Sequence, residues 1–289
     1  MQAPLISLYV PGSRPELIEK AAKYGPDAIL IDLEDAVAID RKESARHEVS
    51  KLIPSLSLPV LVRVNSEPEY LEKDLTAVVS SHLYGVALPM AEGADAVHNA
   101  DTIIAGLERE RGLPPDAIKL IPLIETALGV HRCFEIATAA SRVESVAFGS
   151  AEDGDLQRDL KAAWSVEGTE LLYGRSKVLL EARAAKLHYV LDGAFSDIGN
   201  EAALRADCRL SKRLGYDGRT LIHPSQVAPA REMYMPSPEE VAYYRRLVAA
   251  FEEAEAAGRG TIALEGKLVD YAMYKKAQAL LASAEPSAP

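Results

Sequence analysis

The sequence predicts a (β/α)8 barrel, and three features carry that reading. Eight short apolar runs alternate with helix-forming stretches between Ile6 and His223, the count and order that a closed parallel barrel requires. The runs are apolar nearly throughout, as strands covered on both faces are. No G-x-G-x-x-G turn follows the first run, which weighs against the competing doubly wound open sheet.

The elements follow in order. Residues 6–10 (ISLYV) form the first strand, closed by Pro11-Gly12-Ser13-Arg14-Pro15, with helix expected over 16–23. Residues 27–32 (DAILID) form the second and end in Asp32, Glu34 and Asp35; helix follows over 41–50. The third strand, 58–65 (LPVLVRVN), carries Arg63 and Asn65 near its end and leads to helix 70–81. Strand 85–89 and helix 94–109 come next. The fifth strand lies within residues 118–128 (IKLIPLIETAL), where a β-branched run ends in a bare carboxylate, Glu125, before helix 127–140. A sixth strand at 143–150 is followed by Glu152, Asp153 and Asp155, an irregular stretch, and helix 169–185. Strand 189–193, helix 201–214 and strand 219–223 complete the repeat. Residues 1–235 are therefore expected as the barrel and 236–289 as a C-terminal extension. That extension holds a helix over 237–256 opened by the capping sequence Ser237-Pro238-Glu239-Glu240, a short strand TIALEG, and a last helix over 268–284.

Composition narrows the function. The 289-residue chain is 48% hydrophobic and 26% charged, ordinary for a globular protein. Its net charge of −11 argues against nucleic acid, which needs a basic surface. Two cysteines, Cys133 and Cys208, sit in helical patterns and read as reduced thiols. No signal peptide or membrane-length apolar span is present, so a soluble, cytoplasmic protein is expected.

Candidate chemistry lies at the strand ends, where barrels of this class place it. Asp32, Glu34, Asp35, Glu125, Glu152, Asp153 and Asp155 meet one arginine, Arg63. Several carboxylates with one guanidinium suit a hard divalent cation and an oxygen-rich anion: Mg2+ takes one or two carboxylates and fills its remaining sites with water and substrate oxygens. Arginine clamps carboxylates bidentately. No HExxH, paired CxxC, G-x-S-x-G or Walker A motif occurs. Plainer readings exist: Asp32, Glu34 and Asp35 as helix caps, the 152–155 acids as a solvated loop, and His223 as a strand-end residue. Glu125 resists such a reading, because an acid ending so apolar a strand is costly without a positive partner.

Six motifs then carry a resemblance: 10–21 VPGSRPELIEKA, 27–37 DAILIDLEDAV, 62–66 VRVNS, 122–130 PLIETALGV, 170–176 ELLYGRS and 221–227 LIHPSQV. Together, in order and over nearly the whole chain, they resemble the citrate lyase β-subunit-like family, the malyl-CoA and citramalyl-CoA lyase group of the HpcH/HpaI aldolase superfamily. The resemblance implies a Mg2+-dependent barrel, trimeric or hexameric, that cleaves or forms a C–C bond in 3-hydroxyacyl-CoA thioesters. By the same resemblance Glu125 and Asp153 are the metal ligands, with Glu152 and Asp155 as alternatives because the strand-six motif GSAEDGDLQRDL is longer than usual. Arg63 grips the α-keto acid. Tyr9, Arg14 and Lys20 contact substrate or CoA. Asp270, in the segment GKLVD, is the acid/base delivered to a neighbouring subunit. Met90 stands where the family usually has lysine. A class II aldolase acting on free acids, and a non-catalytic acyl-CoA or keto-acid binding subunit, are the other expectations.

Overall fold

The structure, a computed structural model, describes residues 3–284; the last five residues of the expected extension lie outside the described residues. Eight strands close into a barrel: β1 (Ile6–Pro11), β2 (Ala28–Asp32), β3 (Val60–Arg63), β4 (Gly85–Leu88), β5 (Lys119–Ile124), β6 (Ala147–Phe148), β7 (Leu191–Asp192) and β8 (Gly218–Leu221). Every neighbouring pair is parallel, and β8 returns to β1. Alternate residues point inward and fill the barrel with Ala28, Leu30, Leu61, Ala87, Ile121, Leu123, Ala147 and Leu191. This is a packed core of side chains, as barrels of this size require.

The outer layer is α1 (Pro15–Ile18), α2 (Lys42–Leu52), α3 (Pro68–Val78), α4 (Ala94–Glu110), α5 (Ala127–His131), α6 (Cys133–Ala137), α7 (Asp155–Leu160), α8 (Leu172–Ala184), α9 (Glu201–Leu214) and α10 (Val227–Tyr234). Three of these depart from the sequence reading. The helix expected over 127–140 is two short ones, because the Phe134 N–H leaves the helical ladder for Glu181 Oε2 at 2.9 Å. The stretch after strand six, expected to be irregular, contains α7. The helix expected over 16–23 is one turn of α1 followed by a 3-10 turn at Ala21–Tyr24, ended by Gly25 at φ +74°.

The described residues divide into two compact units after Arg231. The second holds α11 (Pro238–Ala256), the hairpin of β9 (Ile262–Leu264) and β10 (Lys267–Val269), and α12 (Tyr271–Ala284). Ser237 caps α11 through its hydroxyl while Glu240 reaches back to the Ser237 N–H, as the sequence indicated. Residues 268–270, expected as helix, instead finish the hairpin. Glu265 and Gly266, both at positive φ, make the two-residue turn that such a hairpin favours. Leu247, Phe251, Val269, Tyr274 and Ala277 form this unit's own core. No helix among the described residues is long and apolar enough to cross a membrane.

Candidate active site

Strand register assembles the site. Pro11 pairs with Asp32 and Asp32 with Arg63, so β1, β2 and β3 deliver these residues at one level at the C-terminal mouth. A cavity of about 290 Å³ opens there, lined among others by Tyr9, Asp32, Arg63, Glu125, Ser150, Gly193 and Ile222. Close backbone approach keeps it narrow. A Cβ on Gly149 would lie 2.5 Å from the Glu125 Cβ, and one on Gly193 would lie 2.3 Å from the Phe148 carbonyl oxygen. Only glycine fits either position.

Arg63 is held from one side. Its Nε and Nη2 donate to Asp32 Oδ1 and Oδ2 at 2.8 and 2.6 Å, a bidentate clasp that fixes the guanidinium plane. Asp32 in turn accepts the N–H groups of Glu34 and Ala36. Asp32 therefore does both jobs: it caps the following loop and orients the arginine. The Arg63 guanidinium lies 5.2 Å over the Tyr9 ring, and burial pushes the Tyr9 hydroxyl well above its ordinary titration range. Arg63 Nη1 faces Glu34 at 2.8 Å and Asp35 at 3.3 Å.

The carboxylates around it are short of positive charge. Glu34 Oε2 is buried without an aligned hydrogen bond. Burial raises its carboxyl, Arg63 pulls it back, and Asp35, Glu125 and Asp32 push it up again, to about 8. Glu125 Oε1 accepts the Met90 N–H at 2.9 Å. Burial raises Glu125 above the usual carboxylate range; Met90 and Arg63 lower it, and Asp155 and Asp35 raise it. Met90 holds a left-handed backbone, φ +52°, uncommon outside glycine. That turn aims its N–H at Glu125. Met90 thus contributes its backbone, with its side chain partly exposed.

Asp155 and Asp153 have different environments. Asp155 begins α7 and lies in electrostatic reach of Glu125. Four residues on, Asp159 Oδ2 accepts the Ala127 N–H at 2.7 Å, which ties α7 to the loop that carries Glu125. The Asp155 carboxylate itself accepts from Arg158 of the same helix. Asp153 is exposed on a left-handed turn, φ +56°, with its N–H bound to Gln157.

Of the first-loop residues, Tyr9 lines the cavity, whereas Arg14 and Lys20 are exposed outside it. Arg14 pairs with Glu16 at 2.6 Å and lines a neighbouring groove with Ala36, Ala38 and Arg41. Ala36 lines both spaces. Asp270 belongs to the second unit, where its Oδ1 accepts the Met273 N–H at 3.0 Å and caps α12.

Sequence reasoning missed the supports behind the site. Buried Lys42 donates to the Leu33 and Glu34 carbonyls at 3.1 and 3.0 Å and to Asn65 Oδ1 at 2.5 Å. Asn65 continues to Asp74, and Asp74 to Arg46. This network pins the acidic loop to the loop after β3. Its signal was present, because Lys42 and Arg46 fall in the inward stripe of α2 with Ala45 and Val49. Arg219, fully buried on β8, donates to the Gly193 carbonyl and so holds a cavity-lining glycine.

The donor set suits a hard cation. No group of three His, Cys, Asp or Glu side chains able to hold a metal is preassembled among the described residues. The arrangement is Glu125, with Asp155 in electrostatic reach, beside a Glu34 oxygen whose ion-pair partner is Arg63. Mg2+ asks for little more, since water and substrate supply its other ligands.

Fold and site together define a (β/α)8-barrel enzyme with an acidic site at the strand C-termini. The family model described as HpcH/HpaI aldolase/citrate lyase matches residues 5–224. The chain is 36% identical over 284 residues to the citrate lyase subunit beta of Escherichia coli, covering 97% of this chain and 93% of that one. It is 35% identical over 282 residues to a (3S)-malyl-CoA thioesterase of Cereibacter sphaeroides, covering 96% and 93%. The crystal structure of protein CitE from Mycobacterium tuberculosis, in complex with magnesium, acetoacetate and coenzyme A, matches with a TM-score of 0.77. That match is 30% identical and covers 98% of both chains. The chain belongs to the HpcH/HpaI aldolase/citrate lyase family, and it is accordingly a carbon–carbon lyase of the CoA-ester type.

Proposed function

We propose that the protein is a Mg2+-dependent lyase that cleaves or forms a 3-hydroxyacyl-CoA, with an acyl-CoA and an α-keto acid as the other partners. It would act in the cytoplasm as a homotrimer or hexamer. The observation that carries this reading is the raised, undercompensated carboxyl of Glu125 in a small cavity that also holds Arg63, with Asp155 in electrostatic reach. The relative solved with magnesium, acetoacetate and coenzyme A supports the same chemistry.

Glu125 and Asp155 would hold the ion; of the acids in that loop, Asp153 and Glu152 are the exposed ones. The bound ion supplies charge neutralisation and polarisation of a carbonyl oxygen. Arg63 orients the keto acid. Asp32 occupies two edges of its guanidinium, and Nη1 is the edge that can exchange partners. Glu34 holds its proton up to about pH 8, so at neutral pH Nη1 faces a neutral carboxyl that a substrate carboxylate displaces readily. The groove with Arg14 and Arg41 opens beside the cavity and offers two guanidinium groups to the CoA phosphates; Lys20 adds a third cation nearby. Asp270 of a neighbouring copy would exchange a proton with the thioester α-carbon. On cleavage the 3-hydroxyl releases its proton to solvent as its oxygen becomes the keto-acid carbonyl, the Cα–Cβ electron pair passes to the α-carbon, and that carbon takes up the Asp270 proton; synthesis runs the same transfers in reverse.

Mass spectrometry of CoA species tests the reading. The protein is mixed with Mg2+, acetyl-CoA or propionyl-CoA, and glyoxylate, pyruvate or oxaloacetate in turn, with EDTA as control. A new acyl-CoA equal to the sum of one pair, absent in EDTA, is the expected result. A second reading, hydrolysis of the thioester, is favoured by the malyl-CoA thioesterase relative, and it would give free CoA with the hydroxy acid. No product from any pair would sink both and point to a free-acid aldolase or a binding subunit.

A further inference from the structure

The cavity contains a polar atom that neither the fold nor the proposed metal pair uses. Ser150 is 4% exposed and lines the cavity. Among the described cavity-lining residues it alone has a side-chain polar atom that is shut from solvent and without a hydrogen-bond partner. A buried hydroxyl left unpaired is costly, so each such group calls for an explanation.

Its position supplies one. Ser150 follows Gly149, whose α-carbon side rests against Glu125, and a Cβ on Gly193 would stand 2.7 Å from Ser150 Oγ. The hydroxyl thus sits between the ends of β5, β6 and β7, beside two glycines that the close packing requires. A group this deep is reached only by a molecule small enough to enter the cavity completely, which the acid half of the substrate is and the CoA carrier is not. The cavity also has acceptors in excess. Asp32 and Glu125 line it, and Arg63, its one basic lining residue, is already clasped by Asp32. Ser150 adds a buried donor that no acceptor among the described residues engages.

We propose that Ser150 Oγ donates a hydrogen bond to an oxygen of the α-keto acid, making it a substrate-binding residue of this chain. The inference rests on the lyase reading for the identity of the small acid but not on turnover. It is tested by equilibrium binding. Wild type, Ser150→Ala and Ser150→Cys are titrated in Mg2+ with pyruvate, glyoxylate and oxaloacetate, by calorimetry and by fluorescence of Trp164. That residue is the chain's sole tryptophan, and its ring packs 5.8 Å from Phe195, next to the cavity-lining Ala194.

Ser150→Ala should weaken the acid that wild type binds by about tenfold, the loss expected for a hydrogen bond to a charged group. Its melting temperature should stay level or rise, since no partner in the folded protein is lost. Ser150→Cys, which keeps bulk but donates weakly, should stay impaired. Unchanged affinity in Ser150→Ala overturns the proposal. So does recovery in Ser150→Cys, which would assign the effect to volume. Lower melting temperature with full affinity assigns the hydroxyl to the fold, and failure of wild type to bind any of the three acids also ends the proposal. Acid binding without any acyl-CoA product would sink the lyase reading and leave this one standing; product formation unaffected by Ser150→Ala would do the reverse.

Discussion

Glu34 offers the sharpest test of the site's electrostatics, through Glu34→Gln in protein freed of metal by EDTA. The folded state lifts this carboxyl from 4.5 to about 8. Because the folded protein binds the proton more tightly than the unfolded chain, the contribution is fully present below pH 4.5. It is lost as pH rises toward 8 and is flat beyond. Glutamine imitates the neutral acid, so variant and wild type should match near pH 5 and diverge above it. A shift of this size corresponds to roughly 5 kcal/mol at most. Relaxation of the Arg63 pair on ionisation reduces that, and about 2–3 kcal/mol is expected by pH 8.5. At about 2 °C per kcal/mol for a chain of this length, Glu34→Gln should melt some 4–6 °C above wild type there. Melting curves from pH 5 to 9 measure it. Added Mg2+ should flatten the wild-type slope, because a cation among these acids offsets the repulsion that raises Glu34. A difference between the two proteins that does not change with pH would refute the account.

Other expectations follow from the same geometry. Saturating Mg2+ should stabilise wild type by about 2–3 kcal/mol at a hundredfold excess over Kd; Asp155→Asn should abolish most of that gain in melting temperature and Asp153→Asn should keep it. Lys42→Met leaves Asn65 Oδ1 without a donor and takes one of two donors from the Leu33 and Glu34 carbonyls; it should cost roughly 2 kcal/mol, seen as a lower denaturant midpoint, whereas exposed Lys20→Met should stay within about 0.5 kcal/mol. Asp270→Asn retains a good helix cap, so its melting temperature should hold while turnover falls about a hundredfold or more; equal turnover would remove Asp270 from the chemistry.

Most of the barrel could be read from the chain because its strands are covered on both faces. Continuous apolar runs such as residues 118–124 have few alternative structures. Boundaries inside the βα loops were less legible. The split of helix 127–140 depends on Glu181, far along the chain, capturing one N–H. The turn at Asp153 depends on a left-handed residue that aspartate adopts only in context. Tyr9, Asp32, Arg63 and Glu125 were legible because strand ends of such a barrel converge by construction. Asn65 and Asp74 were less so, since their importance lies in bonds across two helices and two loops, and of this network only the inward placement of Lys42 and Arg46 on α2 was readable. Ser150 escaped because a serine after glycine has no sequence signature; only its burial without a partner sets it apart.

The distribution of buried cations explains why the site needs a ligand from outside. Lys42 is committed to carbonyls and Asn65, Arg46 to Asp74, and Arg142 to Glu108 and Asp101. Arg175 and Arg219 share Asp207, with Asp192 beside Arg175. All of these stand behind the cavity and hold backbone or helices in place. Among the described residues Arg63 is the one basic residue lining it, against Asp32, Glu34, Asp35 and Glu125, while Asp155 pairs with Arg158. A cavity closed on itself would have paired these acids with one of the five cations behind it. Folding instead tolerates a protonated Glu34 and a raised Glu125, a cost that the apolar barrel beneath can carry. That imbalance has a chemical use: a cation and an anionic acid entering together reduce the site's negative charge, and each improves the binding of the other.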